Sequence, residues 1–338
     1  MKSKLLALLV GVLGVAQPCY QLPSGAQAAE RAIVSTAKQG SVQEETKAQA
    51  SKLIQAFYAG LSATGSPTGS IGKPKMDDSE AVRKVKMLLD QDVIVQRADG
   101  DYFDFFTYQP MDIDQYAISN VNATRPREDL IVATYSVSTP GATSLTRGTV
   151  SSGDFMPRLT TFRFNPKLKE WQILSHAVFS QPMKQICDHP PIHSAPIPQR
   201  QGANRSREKL VNSLIENLYK DVQLQGKAVE HQGSLITKNT EIVSADGYAR
   251  TGATRARSVK FNSTQKRGFY VTGSGNDLVV RFEVKNNSQI GGVEFTHDWE
   301  PRLATFSKNQ SGQWELVSFA LFNFPVAPPK NLQCINKN

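Results

Sequence analysis

The sequence predicts an α+β fold written twice. A nine-residue segment around residue 158 recurs around residue 302, each copy opens with helical periodicity, and each closes on a pair of strands rich in β-branched and aromatic residues. Helices first and then a run of strands indicate helices covering one face of an antiparallel sheet. The composition allows this. With 39% hydrophobic and 20% charged residues, the 338-residue chain can bury a core, which excludes a collagenous or wholly disordered protein. Its length suits about two domains.

The repeat is the strongest signal. Asp154-Phe-Met-Pro157-Arg158-Leu-Thr-Thr-Phe162 matches Asp298-Trp-Glu-Pro301-Arg302-Leu-Ala-Thr-Phe306, and Trp171-Gln-Ile-Leu-Ser-His-Ala-Val-Phe179 matches Trp314-Glu-Leu-Val-Ser-Phe-Ala-Leu-Phe322. Upstream, Ile94-Val pairs with Ile242-Val and Asp129-Leu with Asp277-Leu. A period of about 145 residues is too long for a solenoid and marks a duplicated domain.

From the amino terminus, Lys2 and Lys4 precede the apolar run Leu5–Val15, and Ala26-Gln-Ala28 follows. A basic start, a short apolar run and an A-x-A site predict a signal peptide over residues 1–28 and an exported (periplasmic or extracellular) protein. The run is too short to span a bilayer, and no transmembrane segment is expected. Residues 29–45, rich in Ala, Gln, Ser and Thr, read as a flexible leader.

The first domain is expected over residues 46–187. Leu53, Ile54, Phe57, Tyr58 and Leu61 fall on one helical face, and a second helix starts near Asp78-Ser79-Glu80 and buries Val82, Val85, Leu88 and Leu89. Strands follow at Leu130–Val137, 158–164 and 171–180, with a turn at Asn165-Pro166. Prolines between Asp188 and Pro198 make residues 188–204 an extended linker. The second domain, residues 205–334, opens with Ser206 as N-cap, Glu208 in the first turn and a stripe of Leu210, Leu214, Ile215 and Leu218. Its strands are expected at Leu278–Val284, 302–308 and 314–323.

This order, with two amino-terminal helices, a turn and long strands ending in a Trp-bearing strand, resembles the nuclear transport factor 2-like superfamily, which includes SnoaL-like cyclases, ketosteroid isomerases and many non-catalytic binding domains. The resemblance implies two tandem cone-like domains, each with helices packed on a curved sheet, and a pseudo-dimer in place of the superfamily's common homodimer. It carries no catalytic signature.

Residues present in one copy only are the candidates for chemistry. On the last strand Trp171, Ile173, Ser175, Ala177 and Phe179 alternate onto one face, placing His176 on the other, where the second copy has Phe319. If the protein is an enzyme of isomerase, cyclase or hydrolase type, His176 with Asp154 is the acid/base pair. Arg158 and Arg302 are kept in both copies, so a salt bridge to Asp154 or Asp298 is expected, with ligand or anion contact as the alternative. Arg255 and Arg257 belong to a basic stretch that occupies, in the second copy, the region where the first copy has an acidic, aromatic stretch (residues 99–116). Residues 29–199 carry 18 basic and 18 acidic side chains, whereas residues 200–338 carry 19 and 12, so the mature net charge lies in the second copy.

Three cysteines exclude a four-thiolate zinc site, and the acids of residues 99–114 lack calcium-loop spacing. No metal or cofactor is implied. After signal cleavage Cys187 and Cys334 remain, each just past the last strand of its copy, and a disulfide between them is expected in an oxidising compartment. The reading is a non-catalytic binding or interaction protein, with domain 1 packed on domain 2. Its partner is a small apolar or anionic ligand or another protein. Nucleic acid is excluded by export and by the lack of a recognition motif.

Overall fold

A computed structural model describes residues 25–64, 80–98, 100–108, 111, 113–144, 149–151, 153–180, 182–186, 205–224, 234–244, 249–251, 259–273, 275–290, 292–322 and 333–335. The chain divides into two units, residues 1–42 and 43–338. The described part of the first unit is helical, so the segment read as a leader lies within a helix. The signal region up to residue 24, the linker 188–204, Cys187, Arg255 and Arg257 lie outside the described residues.

In chain order, α1 (Gly25–Thr64) and α2 (Glu80–Met87) precede β1 (Leu89–Arg97), β2 (Tyr102–Asp104), β3 (Ala117–Arg127) and β4 (Leu130–Ser138). The short β5 (Thr143–Ser144) and β6 (Thr149–Ser151) come next, then β7 (Met156–Asn165), β8 (Glu170–Val178) and β9 (Pro182–Ile186). The second half has α3 (Arg205–Leu224), β10 (Ile236–Ser244), β11 (Ala249–Thr251), β12 (Val259–Thr272), β13 (Asp277–Ile290), β14 (Val293–Lys308), β15 (Trp314–Leu321) and β16 (Gln333–Ile335).

Two six-stranded sheets share one strand order, β2-β1-β8-β7-β4-β3 and β11-β10-β15-β14-β13-β12. The fold is therefore α+β with two domains, but the sheets are mixed rather than antiparallel. β1 lies parallel to β8, and β10 parallel to β15, because the first strand of each half returns beside the last. A third sheet, β16-β9-β6-β5, joins the end of the chain to the first half: β16, carrying Cys334, runs parallel to β9 with Cys334 opposite Gln185.

α1 and α3 bury the stripes that their spacing predicts, whereas α2 ends at Met87 and Leu89, expected on it, belongs to β1. Ile54, Phe57, Tyr58 and Leu61 of α1 are buried against Val95, Tyr135 and Phe162, while Leu214, Ile215 and Leu218 of α3 are buried against Phe282 and Phe306. A third apolar cluster lies between the sheets. Ile94, Leu159, Leu174, Ala177 and Phe179 of the first sheet meet Val243, Leu303, Val317, Ala320 and Phe322 of the second.

A bulge in the last strand decides which side chains face which cluster. Thr161 pairs with Ser175, but the next residue, Phe162, pairs with Ile173, so Leu174 is left over. The expected single face is thereby split. Trp171, Ile173, His176 and Val178 turn toward α1, whereas Leu174, Ser175, Ala177 and Phe179 turn toward the other sheet. β15 repeats the device at Val317, with Thr305 opposite Ser318 and Phe306 opposite Leu316.

The register also corrects two of the upstream sequence matches. Ile94 pairs with Ser175, and the equivalent serine, Ser318, pairs with Glu241 rather than Ile242. Leu130 opposes Arg163, and at the matching place Asp277 opposes Ser307. Each sequence match is one residue out, which would reverse the faces. The second half thus places two carboxylates, Glu241 and Asp277, where the first half has Ile94 and Leu130.

The turn into β13 depends on Gly273. Its φ is +97°, and a Cβ there would meet the Asp277 carbonyl oxygen at 2.3 Å, a backbone atom that cannot swing aside. Replacing Gly273 by Ala is expected to destabilise the chain by about 3 kcal/mol or more, read as a lower denaturation midpoint at unchanged m-value.

Candidate functional site

The first half encloses a cavity between α1 and its sheet. Phe57, Leu61, Val95, Ile113 and Val178 supply apolar walls, and Arg97, Arg158, Tyr58, Tyr108, Thr139 and His176 supply polar ones. The space open to the centre of a water-sized sphere is about 20 Å³, room for one or two waters. It is far smaller than the few hundred cubic ångströms that a drug-sized ligand occupies.

His176 reaches this cavity because of the bulge at Leu174. It is 3% exposed, lies edge-on to Phe57, and its Nδ1 is 2.8 Å from Thr160 Oγ1. Tyr135 Oη is 3.0 Å from the same hydroxyl, forming a Tyr135–Thr160–His176 chain. Burial, reinforced by the positive charges of Arg158 and Arg97, pushes the imidazole down to about 3. Asp154 is exposed before β7 and is not among the cavity's lining residues.

Arg158 is 2% exposed, and its partners differ from those expected. Nε donates to Tyr58 Oη (3.2 Å), Nη1 to the carbonyls of Met156 and Pro157, and Nη2 to Ser180 Oγ (2.6 Å). Asp154 takes none of these donors, because the side chain turns inward under α1 instead of outward to the strand start. In the second half Arg302 is held by a carboxylate, but by Glu300 (2.8 Å) rather than Asp298. Asp298 is exposed and pairs with Lys285 (3.2 Å). Glu300 Oε1 also lies 2.8 Å from His297 Nδ1.

Both halves set a tyrosine against the arginine, Tyr58 on α1 and Tyr219 on α3. Burial pushes the Tyr219 hydroxyl up to about 12, against the opposing effect of Arg302. Sequence reading missed Glu300, Tyr219 and Arg97 as partners. A usable signal existed in the matched stripes Phe57-Tyr58 and Leu218-Tyr219, which place a tyrosine at one helical position in both halves.

The acidic, aromatic stretch is mainly structural. Asp104 Oδ1 accepts from the backbone of Phe106 and Thr107, and its Oδ2 accepts from Tyr270 Oη (2.8 Å). Arg97 lies over the Phe103 ring at 4.6 Å. Of the basic stretch, Lys266 pairs with Glu216, and Arg267 pairs with Glu283 and lies over Trp299. Among the described residues no group of three or more His, Cys, Asp or Glu side chains converges on a metal-sized site, and no helix is long and apolar enough to cross a membrane.

Contacts across the central cluster occur twice. Thr161 Oγ1 lies 2.9 Å from Ser318 Oγ, and Thr305 Oγ1 donates to Ser175 Oγ at 2.8 Å, the same pair with the halves exchanged. Phe179 and Phe322, also equivalent, stack at 4.5 Å. Around them Arg163 binds Asp90 and Asp92, while Arg127 and Arg163 both reach Asp277.

No protein-family model matches the sequence, and no curated protein matches it. Among solved structures, the chain is similar to a nuclear transport factor 2-like protein from Cytophaga hutchinsonii, at 9% identity and TM-score 0.30, covering 35% of this chain and 98% of that one. It is similar to a nuclear transport factor 2-like protein of unknown function in nutrient uptake from Rhodospirillum rubrum, at 16% identity and TM-score 0.29, covering 33% and 98%. A ketosteroid isomerase-like protein from Erwinia carotovora atroseptica matches at 12% identity and TM-score 0.27, covering 33% and 92%.

Proposed function

We propose that the chain is an exported, non-catalytic binding protein made of two tandem nuclear transport factor 2-like domains joined as an intramolecular pseudo-dimer. The observation that carries this reading is the duplicated contact set between the sheets: Thr161 to Ser318, Thr305 to Ser175, and Phe179 on Phe322. A two-fold interface between subunits repeats each contact with the partners exchanged. Here one chain supplies both partners, so the face that a homodimer would use is already covered.

The non-catalytic part of the reading is supported by His176. A general base works best with a pKa near the working pH, and burial beside two arginines holds this one near 3. The Cys187–Cys334 bond belongs to the same proposal, since β16 brings Cys334 beside β9, which ends at Ile186.

Native mass spectrometry of the chain expressed from residue 1 tests the proposal. The expected species is a single copy starting at Ala29, without titratable thiols when unfolded under non-reducing conditions. A species that keeps residues 1–28, or one that assembles as a dimer disrupted by Phe179→Ala, would overturn it.

A further inference from the structure

We infer that the cavity of the first half is a site for a small monocarboxylate, which supplies to Arg158 the counter-charge that Glu300 supplies to Arg302. The inference rests on the reading of this chain as a binding protein and specifies what its first domain binds.

The argument begins with a difference between equivalent arginines. Arg302 is 3% exposed and neutralised by Glu300 at 2.8 Å. Arg158 occupies the same place opposite Tyr135, as Arg302 does opposite Phe282, and is 2% exposed. Two residues before it, where the second half has Glu300, the first half has Met156. Among the described residues no carboxylate lies within salt-bridge distance of Arg158. Its partners are a tyrosine, two carbonyls and a serine.

A buried guanidinium without a counter-charge is costly, and a carboxylate is its natural complement. Four of the five N–H groups of Arg158 are directed at those neutral partners, which leaves one on Nη2. Arg158 is one of the residues that line the cavity. His176 lines it too, and in the tautomer whose Nδ1 accepts from Thr160 its Nε2–H is a second donor. Thr139, 3% exposed, lines the same cavity, with its hydroxyl 3.5 Å from Ser151 Oγ.

Size limits the ligand. A space of about 20 Å³ for water centres takes a group that replaces one or two waters, with the methyl of the ligand toward Phe57 and Ile113. Formate and acetate meet this limit; a steroid-sized acid does not.

The experiment is a thermal and calorimetric titration of the full chain with sodium acetate, against sodium chloride at the same ionic strength. Wild type is expected to show saturable stabilisation by acetate and none by chloride. Met156→Glu, which supplies the missing carboxylate from within, is expected to melt higher without ligand and to bind acetate about tenfold more weakly or worse. Met156→Gln, similar in size and uncharged, is expected to keep the response. Absence of an acetate response in wild type, or equal acetate binding in Met156→Glu, overturns the inference. Should Met156→Glu fail to fold, Arg158→Lys takes its place and is expected to bind acetate more weakly. Either failure leaves the single-copy mass expected of the pseudo-dimer untouched, so the two proposals fail separately.

Discussion

Phe179→Ala is expected to cost about 3–5 kcal/mol of stability, the range for emptying a fully buried aromatic position. Phe179 and Phe322 are both 0% exposed and stack at 4.5 Å with an 18° angle between rings. Neither ring faces its own helix. Each is spent on the other half, so the loss falls on the contact between sheets rather than on either interior. Phe322→Ala is expected to cost a similar amount, because the site is nearly symmetric. The double variant should cost less than the sum of the two, since the first deletion already removes the pair's stacking, worth about 0.5–1.5 kcal/mol beyond burial. Chemical denaturation followed by fluorescence reads all three. Wild type should unfold in one transition. If Phe179→Ala separates it into two, the halves are independently stable units held by this contact; fully additive losses would show that the rings act separately.

The elements themselves were legible because their signals are local. The helical stripes of α1 and α3 lie in the spacing of Phe57, Leu61, Leu214 and Leu218, and the terminal strands repeat almost residue for residue. What could not be read is register. A single left-over residue at Leu174 moves His176 from the outer face to the cavity, and alternation counts without bulges cannot detect it. The same limit misaligned Ile94 with Ile242. Sequence likeness favoured the apolar match, whereas pairing with the last strand places Glu241 opposite Ser318. The partner of Arg302 was missed for a related reason. Asp298 is the acid repeated between copies, but it lies on the exposed stretch of β14, whose buried run begins at Glu300.

That same register sets up the second large effect, two buried groups whose separate titrations change stability in opposite directions with pH. Glu241 is 1% exposed at the place of Ile94, and its Oε1 has no hydrogen-bond partner. Burial pushes its carboxyl up to about 7, only partly offset by a hydrogen bond from Thr124. The folded chain therefore keeps a proton that the unfolded chain releases above about pH 4.5, and stability falls between pH 4.5 and 7. Above pH 7 the full cost applies, about 3 kcal/mol. His176 behaves oppositely. With its pKa held near 3, the unfolded chain takes up a proton below pH 6.5 that the folded chain refuses, so stability falls as pH drops from 6.5 to 3, by about 4–5 kcal/mol in all. Between pH 4.5 and 6.5 the two slopes cancel, and their combined contribution in wild type is flat there. Glu241→Ile, which restores the residue of the other half, should leave stability rising with pH across that window and gain about 3 kcal/mol at pH 8. His176→Phe, the residue of the second half, should leave it falling instead. Differences in unfolding free energy between each variant and wild type, measured every half unit from pH 4 to 8, isolate the two groups from all others. A Glu241→Ile difference that does not grow with pH would show that this carboxylate is ionised at no cost in the folded chain.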